Sequence, residues 1–516
     1  MTAKQPRPVV PTTFRNVFSN WGAFAITVGI NFFLTPYIVR HLGDTQYGIW
    51  VLLASLVGYM GLLDLGVSSA VTRYVAKYYA TRADQDASRL VSAALAVFTM
   101  MGLIAILVAL VIALVLMQRL HVPPELVGTA RGVLLISAAA VAVSLIGGVF
   151  GGVVAGLQRF DLRSGVETVI GVLRAVAVVV ALGAGGGLVI LALVQLAATA
   201  ARGAAAYGFA RRLYPELRPT ITSWGLGDLR LLLSFGAFAS LLQVANMIVS
   251  QADSLIIAAF LPVSMVTYFA IANSLTLYAS SIVSGVAQTI PPRVGALQAQ
   301  GADAETQDLI LRTGRVAALI ILPIALTFIL RGGTFVRLWM GASYQVLSGA
   351  ILIPLAVTLG LGAGPHVAIS ALIGLNRHRR LGLFVVIEGA ANLGLSILWI
   401  GPLGLVGLAL ATAVTRISLG LFVVPWLLAR HVGAEAQRTY MAFWGRPLLA
   451  SVPFTIGSYL VERWWIAHSL VVFFLQVLAV LPLMLLGAWL LGLRPEERVM
   501  CQRAIAAPVR AALKRA

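Results

Sequence analysis

Trp21 to Ala80 reads WGAFAITVGINFFLTPYIVRHLGDTQYGIWVLLASLVGYMGLLDLGVSSAVTRYVAKYYA: two apolar spans, a short polar hairpin between them, then an abruptly basic, aromatic stretch. That alternation decides the fold. A bilayer core about 30 Å thick takes roughly 20 apolar residues per helix and admits polar chain only at its edges. The rest of the chain repeats the pattern, with 60% hydrophobic residues, 11% charged residues and a mean hydropathy of +0.95. A water-soluble fold could not hide so much apolar surface.

Working outward from this stretch, the sequence predicts fourteen spans. They lie near 18–39, 46–66, 90–116, 132–155, 165–184, 187–209, 231–260, 262–290, 315–334, 346–374, 382–400, 403–429, 447–461 and 469–493. The runs are continuous, whereas barrel strands would alternate polar and apolar over about 10 residues, so the fold class is all-α and polytopic. The first span is too long for the core of a secretory signal, and no small-residue cleavage pattern precedes the second, so the N-terminus is expected to be retained.

With both termini placed in the cytoplasm, the inner segments hold about 28 Lys or Arg and the outer ones about 6, which fits the positive-inside rule. The net charge of +19 is then explained by orientation beside an anionic leaflet, with no need of nucleic acid. The single cysteine, Cys501, excludes an internal disulfide. No phosphate-binding GxxxxGK[ST] loop, HExxH helix or CxxC pair is present, which argues against an internal ATPase, a zinc hydrolase or a redox enzyme; no cofactor and no metal are expected.

Gly22-Ala23-Phe24-Ala25 recurs as Gly236-Ala237-Phe238-Ala239, 214 residues later. Tyr47 and Tyr268 match the second helix of each half. Two six-helix lobes in a parallel repeat are expected, 18–209 and 231–429, with substrate between the halves. Residues 1–17 form a cytoplasmic lead, 210–230 the connector, 447–493 an added helix pair and 494–516 a basic cytoplasmic tail.

Polar residues within spans are costly facing lipid and are expected to face protein or water. Gln243, Asn246, Ser250 and Asp253 share one face of span 7. Asn273, Thr276, Ser280, Ser284 and Gln288 share one of span 8, and Asn20, Thr27, Asn31 and Thr35 one of span 1. These stripes suit a cavity lining, and equally hydrogen-bonded glue between helices. Span 5 carries Glu167 and Arg174, expected to neutralise each other across Gly171; spans 6 and 12 carry Arg202 and Arg416. Glu388, Asn392 and Ser396 line one face of span 11, where a proton or hard cation would bind, with Asp253 as a further ligand. The alternative is a protonated Glu388 held by helix packing. Gly147 to Gly156 reads as close helix packing, and Asp64 as a cap for the helix after span 2.

Leu42-Gly43, Tyr47-Gly48, GLLDLGVSSAVTRYVA from Gly61, Pro291-Pro292-Arg293, LWMGASY from Leu338, and EGAANLGLS from Glu388 ahead of GPLGLVGLALAT follow one another in order. In these the chain resembles the polysaccharide or O-antigen flippases of the multidrug/oligosaccharidyl-lipid/polysaccharide exporter superfamily. The resemblance implies a V-shaped, two-lobed bundle in the inner membrane. Its substrate would be a lipid-linked oligosaccharide on a polyprenyl pyrophosphate, and glycosyltransferases and a polymerase would be its pathway partners. A pyrophosphate needs cationic partners and a glycan many hydroxyl and amide partners. Arg73, Arg174, Arg293 and Arg416 are the headgroup candidates; Asn31, Gln243, Asn246, Asn273 and Gln288 are the cavity candidates; Asp253, Glu388 and Asn392 are the cation candidates. On this reading Arg416→Ala abolishes transport at normal abundance.

A multidrug or cation antiporter of the same superfamily is the alternative, though an acidic, aromatic cavity would suit it better. A membrane enzyme of polysaccharide assembly would need acid and base groups outside the bilayer. The longest outer segments, Gln118 to Arg131 and Arg331 to Gln345, offer Glu125 as their one carboxylate.

Overall fold

The computed structural model describes residues 13–117, 120–220, 224–375, 378–432, 444–493 and 498; of residues 13–21, 23, 24, 233–246, 248–250, 378, 379, 431 and 432 it describes the backbone alone. Among these residues the chain is helical, without strands. The helices are α1 (Thr13–Tyr59), α2 (Val67–Thr81), α3 (Asp84–Val111), α4 (Pro124–Gly156), α5 (Phe160–Gly183), α6 (Leu188–Leu213), α7 (Leu226–Phe260) and α8 (Ser264–Ala287). They continue as α9 (Ile290–Ala299), α10 (Asp303–Met340), α11 (Gln345–Gly374), α12 (His378–Ser418), α13 (Val424–Val432), α14 (Gly445–Trp464) and α15 (Leu470–Gly487).

Helix falls at every expected span, and among the described residues ten segments are long and apolar enough to cross a bilayer. Two of those segments hold a pair of expected spans each. The 47 residues of α1, if continuous, would run about 70 Å, more than twice the bilayer core. The run is broken at Gly43, whose φ of 74° and ψ of 170° end one helix and begin the next. Gly404 (φ 58°, ψ −142°) breaks α12 in the same way. A positive φ is sterically cheap for glycine, which is why the hairpin tips carry it.

Large apolar side chains on the outer faces, such as Leu103, Leu107 and Leu114 on the α3 rod and Leu478 and Leu485 on α15, are exposed. In water such a surface would aggregate; in a multi-pass membrane protein it meets lipid. Some helices extend past the apolar runs that announce them. α3 starts at Asp84, with Asp84 and Asp86 in its first turn, and α10 at Asp303, with Glu305 following. Carboxylates at helix N-termini oppose the positive end of the macrodipole, so these polar turns are helical without being apolar.

The helices separate into two compact units divided between Thr267 and Tyr268. In the first, α4 packs against α3 and α6, and α1 against α5 and α7. The short α2 is amphipathic: Val67, Ala70, Val71 and Val75 bury against Leu90, Val91, Ala94 and Phe98 of α3 and Val149 and Val153 of α4. The segment after α6 is tied back onto α3, since Tyr214 donates to Asp84 (2.6 Å) and the backbone N–H groups of Arg218 and Thr220 donate to Ser88 and Ser92 (3.0 and 2.9 Å).

The second unit is built on α10 against α11, with α12 on α11 and the α14–α15 pair on α10. That added pair is fastened through polar contacts the sequence reading passed over. Arg331, buried in α10, pairs with Glu462 of α14 at 2.9 Å, donates to Gln476 of α15 and sits 4.5 Å from the Phe473 ring centroid. Thr334 also donates to Glu462, and the Gln476 amide donates to the Trp465 carbonyl at 2.7 Å. Arg331 stands where the expected span 315–334 meets the outer segment that starts at the same residue, and Glu462 falls one residue past the end assigned to span 13.

Candidate functional site

Besides the Arg331 cluster that fastens the last two helices, each unit gathers polar side chains that the sequence analysis singled out. In the first unit a cavity of about 600 Å³ opens between α1, α4 and α6, lined among others by Trp50, Asp64, Ser68, Ser144, Gln195 and Arg202. A second cavity of about 410 Å³ adjoins it, shares Ser68, Ser144, Gly148, Thr199 and Arg202, and adds Arg163 and Glu167.

The glycine run of α4 makes room for this cavity as well as for packing. A Cβ on Gly147 would stand 2.8 Å from the Gly203 Cα, and one on Gly156 2.8 Å from the Thr72 carbonyl, so those two positions set close helix approach. A Cβ on Gly151 would meet nothing within 4 Å, and Gly148 and Gly151, together with Gly147, form wall of the second cavity.

The expected neutralisation of Glu167 by Arg174 is not what forms. Glu167 pairs with Arg202 of α6 at 3.5 Å, and Arg202 also donates to Thr199 at 3.1 Å. Arg174 instead donates to two amide oxygens, Gln195 Oε1 at 3.3 Å and Asn31 Oδ1 at 3.4 Å. Seven residues on one helix are separated by about 10 Å of rise, too far for a direct pair when α6 offers partners nearer by. Gln195 was not singled out in the sequence, where it is one amide in an apolar run.

In the second unit, Glu388 pairs with Arg416 at 3.4 Å. The Glu388 side chain is 4% exposed and that of Arg416 42%. One and two turns along α12, Asn392 and Ser396 are buried. The Asn392 amide donates to Thr412 (3.2 Å) and Thr415 (3.5 Å), whose hydroxyls donate to the Leu408 and Ala411 carbonyls and so accept here, consistent with NH₂ on that side of the amide. Glu388 Oε1, Asn392 Oδ1 and Ser396 Oγ have no hydrogen-bond partner among the described residues. Three buried oxygens on one helix face are a ready ligand set for a proton or a hard cation. His366 of α11, bonded to Ser284 of α8 at 3.2 Å, lies within electrostatic reach of Arg416. Among the described residues, no three His, Cys, Asp or Glu side chains gather as a metal cluster.

The other candidates are dispersed. Arg73 is exposed on α2, 5.9 Å from the Tyr74 ring centroid, with Lys77 placed alike over Tyr78. Burial raises the Tyr78 phenol pKa, with Asp86 and Asp228 adding to the effect. Arg293 is exposed on α9 and Gln288 exposed just after α8, while Asn273 is half-buried on α8. Asp253 belongs to the first unit, beside Tyr59. The side chains of Gln243 and Asn246 lie outside the described residues. Asp64 accepts from the Ser68 N–H at 3.0 Å in the first turn of α2, the capping role expected of it.

Residues 13–298 match the family described as polysaccharide biosynthesis protein. The uncharacterized membrane protein EpsK of Bacillus subtilis (strain 168) is 23% identical over 446 residues, 85% of this chain and 87% of that one. Among solved structures, the inward closed conformation of the lipid II flippase MurJ aligns with a TM-score of 0.72 at 11% identity, over 92% of this chain and 98% of that one. An inward-facing multidrug resistance MATE family transporter of the MOP superfamily aligns at 0.69 and 16% identity, over 81% and 95%. At these identities the structural likeness is one of fold.

Proposed function

Because the chain belongs to the polysaccharide biosynthesis protein family, we propose that it flips a polyprenyl-pyrophosphate-linked oligosaccharide from the inner to the outer leaflet of the cytoplasmic membrane during surface polysaccharide assembly. The observation that carries this reading is the polar, arginine-bearing cavity inside the first unit. A membrane helix bundle has no structural need of such a space, and leaving Ser, Thr, Gln and Arg around it is costly unless a polar ligand visits.

The lobes 18–209 and 231–429 are the bodies that alternate access, with 447–493 appended and both termini cytoplasmic. Arg73 and Arg293 receive the diphosphate at the inner surface, and Arg174 and Arg416 act deeper. Asn31, Gln243, Asn246, Asn273 and Gln288 serve the sugars, and the polyprenyl tail stays in lipid. The sequence carries no nucleotide-binding loop, so the driving force is a gradient or the substrate itself, and the reading we favour is a cation gradient. Glu388 and Asn392 take up the cation, a role supported by the burial of both side chains and by an Asn392 Oδ1 that accepts no hydrogen bond among the described residues, with Asp253 a further group in the same coupling.

Mass spectrometry of lipid extracts from a strain lacking the gene tests the reading. Accumulated polyprenyl-pyrophosphate oligosaccharide is the expected result and reveals the sugar unit. No accumulation, with altered drug tolerance instead, overturns it in favour of a multidrug exporter.

A further inference from the structure

We infer that the cavity of the first unit is a binding site for a phosphorylated sugar, in which Arg202 contacts the phosphate, Gln195 donates to the ligand and Arg174 positions Gln195. The inference rests on the transport reading above and assigns a ligand chemistry to residues that reading leaves open.

The Gln195 Oε1 accepts from Arg174, so the group Gln195 has left to offer is its NH₂. The Thr199 hydroxyl donates to the Gln195 carbonyl and accepts from Arg202, which holds the guanidinium in place at the wall. With the Ser68, Ser137 and Ser144 hydroxyls, the lining is rich in donors. Donors suit phosphoryl and sugar oxygens.

Charge points the same way. The carboxylate partner of Arg202, Glu167, is half exposed and 3.5 Å away, a pair weak enough for a ligand oxyanion to replace. Arg174 has neutral amides as its partners, and Arg163 lines the adjoining cavity. Asp64, the acidic member of the larger cavity, already accepts from the α2 backbone. A cationic ligand would have to sit against Arg202 with Arg174 behind it. The Trp50 indole adds an apolar face for the C–H side of a sugar ring, and 600 Å³ lies within the range of ordinary ligand sites, roughly 300 to 1,000 Å³.

Purified full-length protein in nanodiscs gives the test. Cys501→Ser removes the native thiol and Ser144→Cys introduces one in the cavity wall. Maleimide labelling is then timed with glucose 1-phosphate, glucose or inorganic phosphate, and with undecaprenyl phosphate in the disc. The expected result is labelling slowed about fivefold or more by glucose 1-phosphate and less by glucose or phosphate alone, since each supplies half of the contacts. Arg202→Gln removes the protection. Glu167→Gln, which takes away the competing carboxylate at an exposed position, tightens it about threefold and so reports even if Arg202→Gln folds poorly. Protection by undecaprenyl phosphate identifies a lipid headgroup as the source of the phosphate; protection by glucose 1-phosphate without it identifies a soluble one. Glucose or inorganic phosphate protecting as well as glucose 1-phosphate, or no protection by any of the four, overturns the inference. The labelling reads binding in purified protein, so its failure is distinct from a failure of the lipid-accumulation experiment.

Discussion

Arg202 in the first unit and Arg416 in the second stand in the same register, each pairs with a glutamate, and the two pairs are buried the opposite way round. Arg416 follows Arg202 by 214 residues, the spacing that separates the two Gly-Ala-Phe-Ala sequences, and each arginine meets a carboxylate from the helical segment just before its own. In the first unit the arginine is the more buried partner and the glutamate faces out. In the second the glutamate is enclosed and the arginine is the more exposed. Burial decides which charge the protein commits to. An enclosed group has few other ways to be solvated, while an exposed partner can be given up to a competitor. The first pair is therefore built to lose its carboxylate to an incoming anion, and the second to lose its arginine to an incoming cation.

The largest effect that could break this comparison is on stability. Arg416→Ala leaves Glu388 enclosed without its partner, and about 1 to 3 kcal/mol is expected to be lost. That is less than for a fully buried pair, because Arg416 is partly solvated and the carboxyl can take a proton. Thermal unfolding of purified protein measures it, and adding Glu388→Gln should recover most of the loss. Membrane abundance must therefore be measured beside transport when Arg416→Ala is used as a test of substrate binding. If Arg416→Ala proves no worse than Arg202→Ala, the inverted burial has no energetic meaning.

Arg202→Ala leaves a half-exposed carboxylate, and a change within about 1 kcal/mol is expected, together with lost transport. Next, the dependence of transport on sodium or proton concentration should vanish in Glu388→Gln and persist in Glu167→Gln. Vesicle uptake at a series of imposed gradients would show this, and equal effects of the two variants would merge the roles assigned to the units. The smallest effect is expected from Gly151→Ala. Its added methyl enters open cavity and should shift stability by less than about 0.5 kcal/mol, whereas Gly147→Ala must push against Gly203 and cost about 1 to 3 kcal/mol.

The spans were legible because bilayer thickness imposes a length on every apolar run; the tip at Gly43 falls in the break between two expected spans, and the tip at Gly404 falls two residues past the expected break, at the start of the following span. The polar starts of α3 and α10 were not, since carboxylates opposing the helix dipole extend a helix without any hydropathy signal. Among the charged residues, identity was readable and pairing was not. Glu167 and Arg174 share a helix face, yet the nearer partners came from α1 and α6. The Arg202–Arg416 register was present in the numbering, within reach of the repeat already noticed. The partnership of Arg331 with Glu462 spans 131 positions and depends on how the last two helices dock, which no local pattern announces.

That last partnership imposes an order in time. At about 5 to 20 residues per second, a ribosome that has delivered Arg331 to the membrane needs roughly 7 to 26 seconds to deliver Glu462, 131 residues later. During that interval the guanidinium lacks both partners that will hold it, the Glu462 carboxylate and the Gln476 amide. An arginine at the centre of an isolated membrane helix costs about 2.5 to 3.5 kcal/mol on insertion scales, and one near the end of a span, as Arg331 is in 315–334, costs less but still favours the bilayer surface until it is paired. The nascent chain must therefore pass through an incomplete form with α10 shielded by the insertion machinery or displaced toward the bilayer surface. A chain stopped before α14 would remain in that form, marked for removal by the unmet charge.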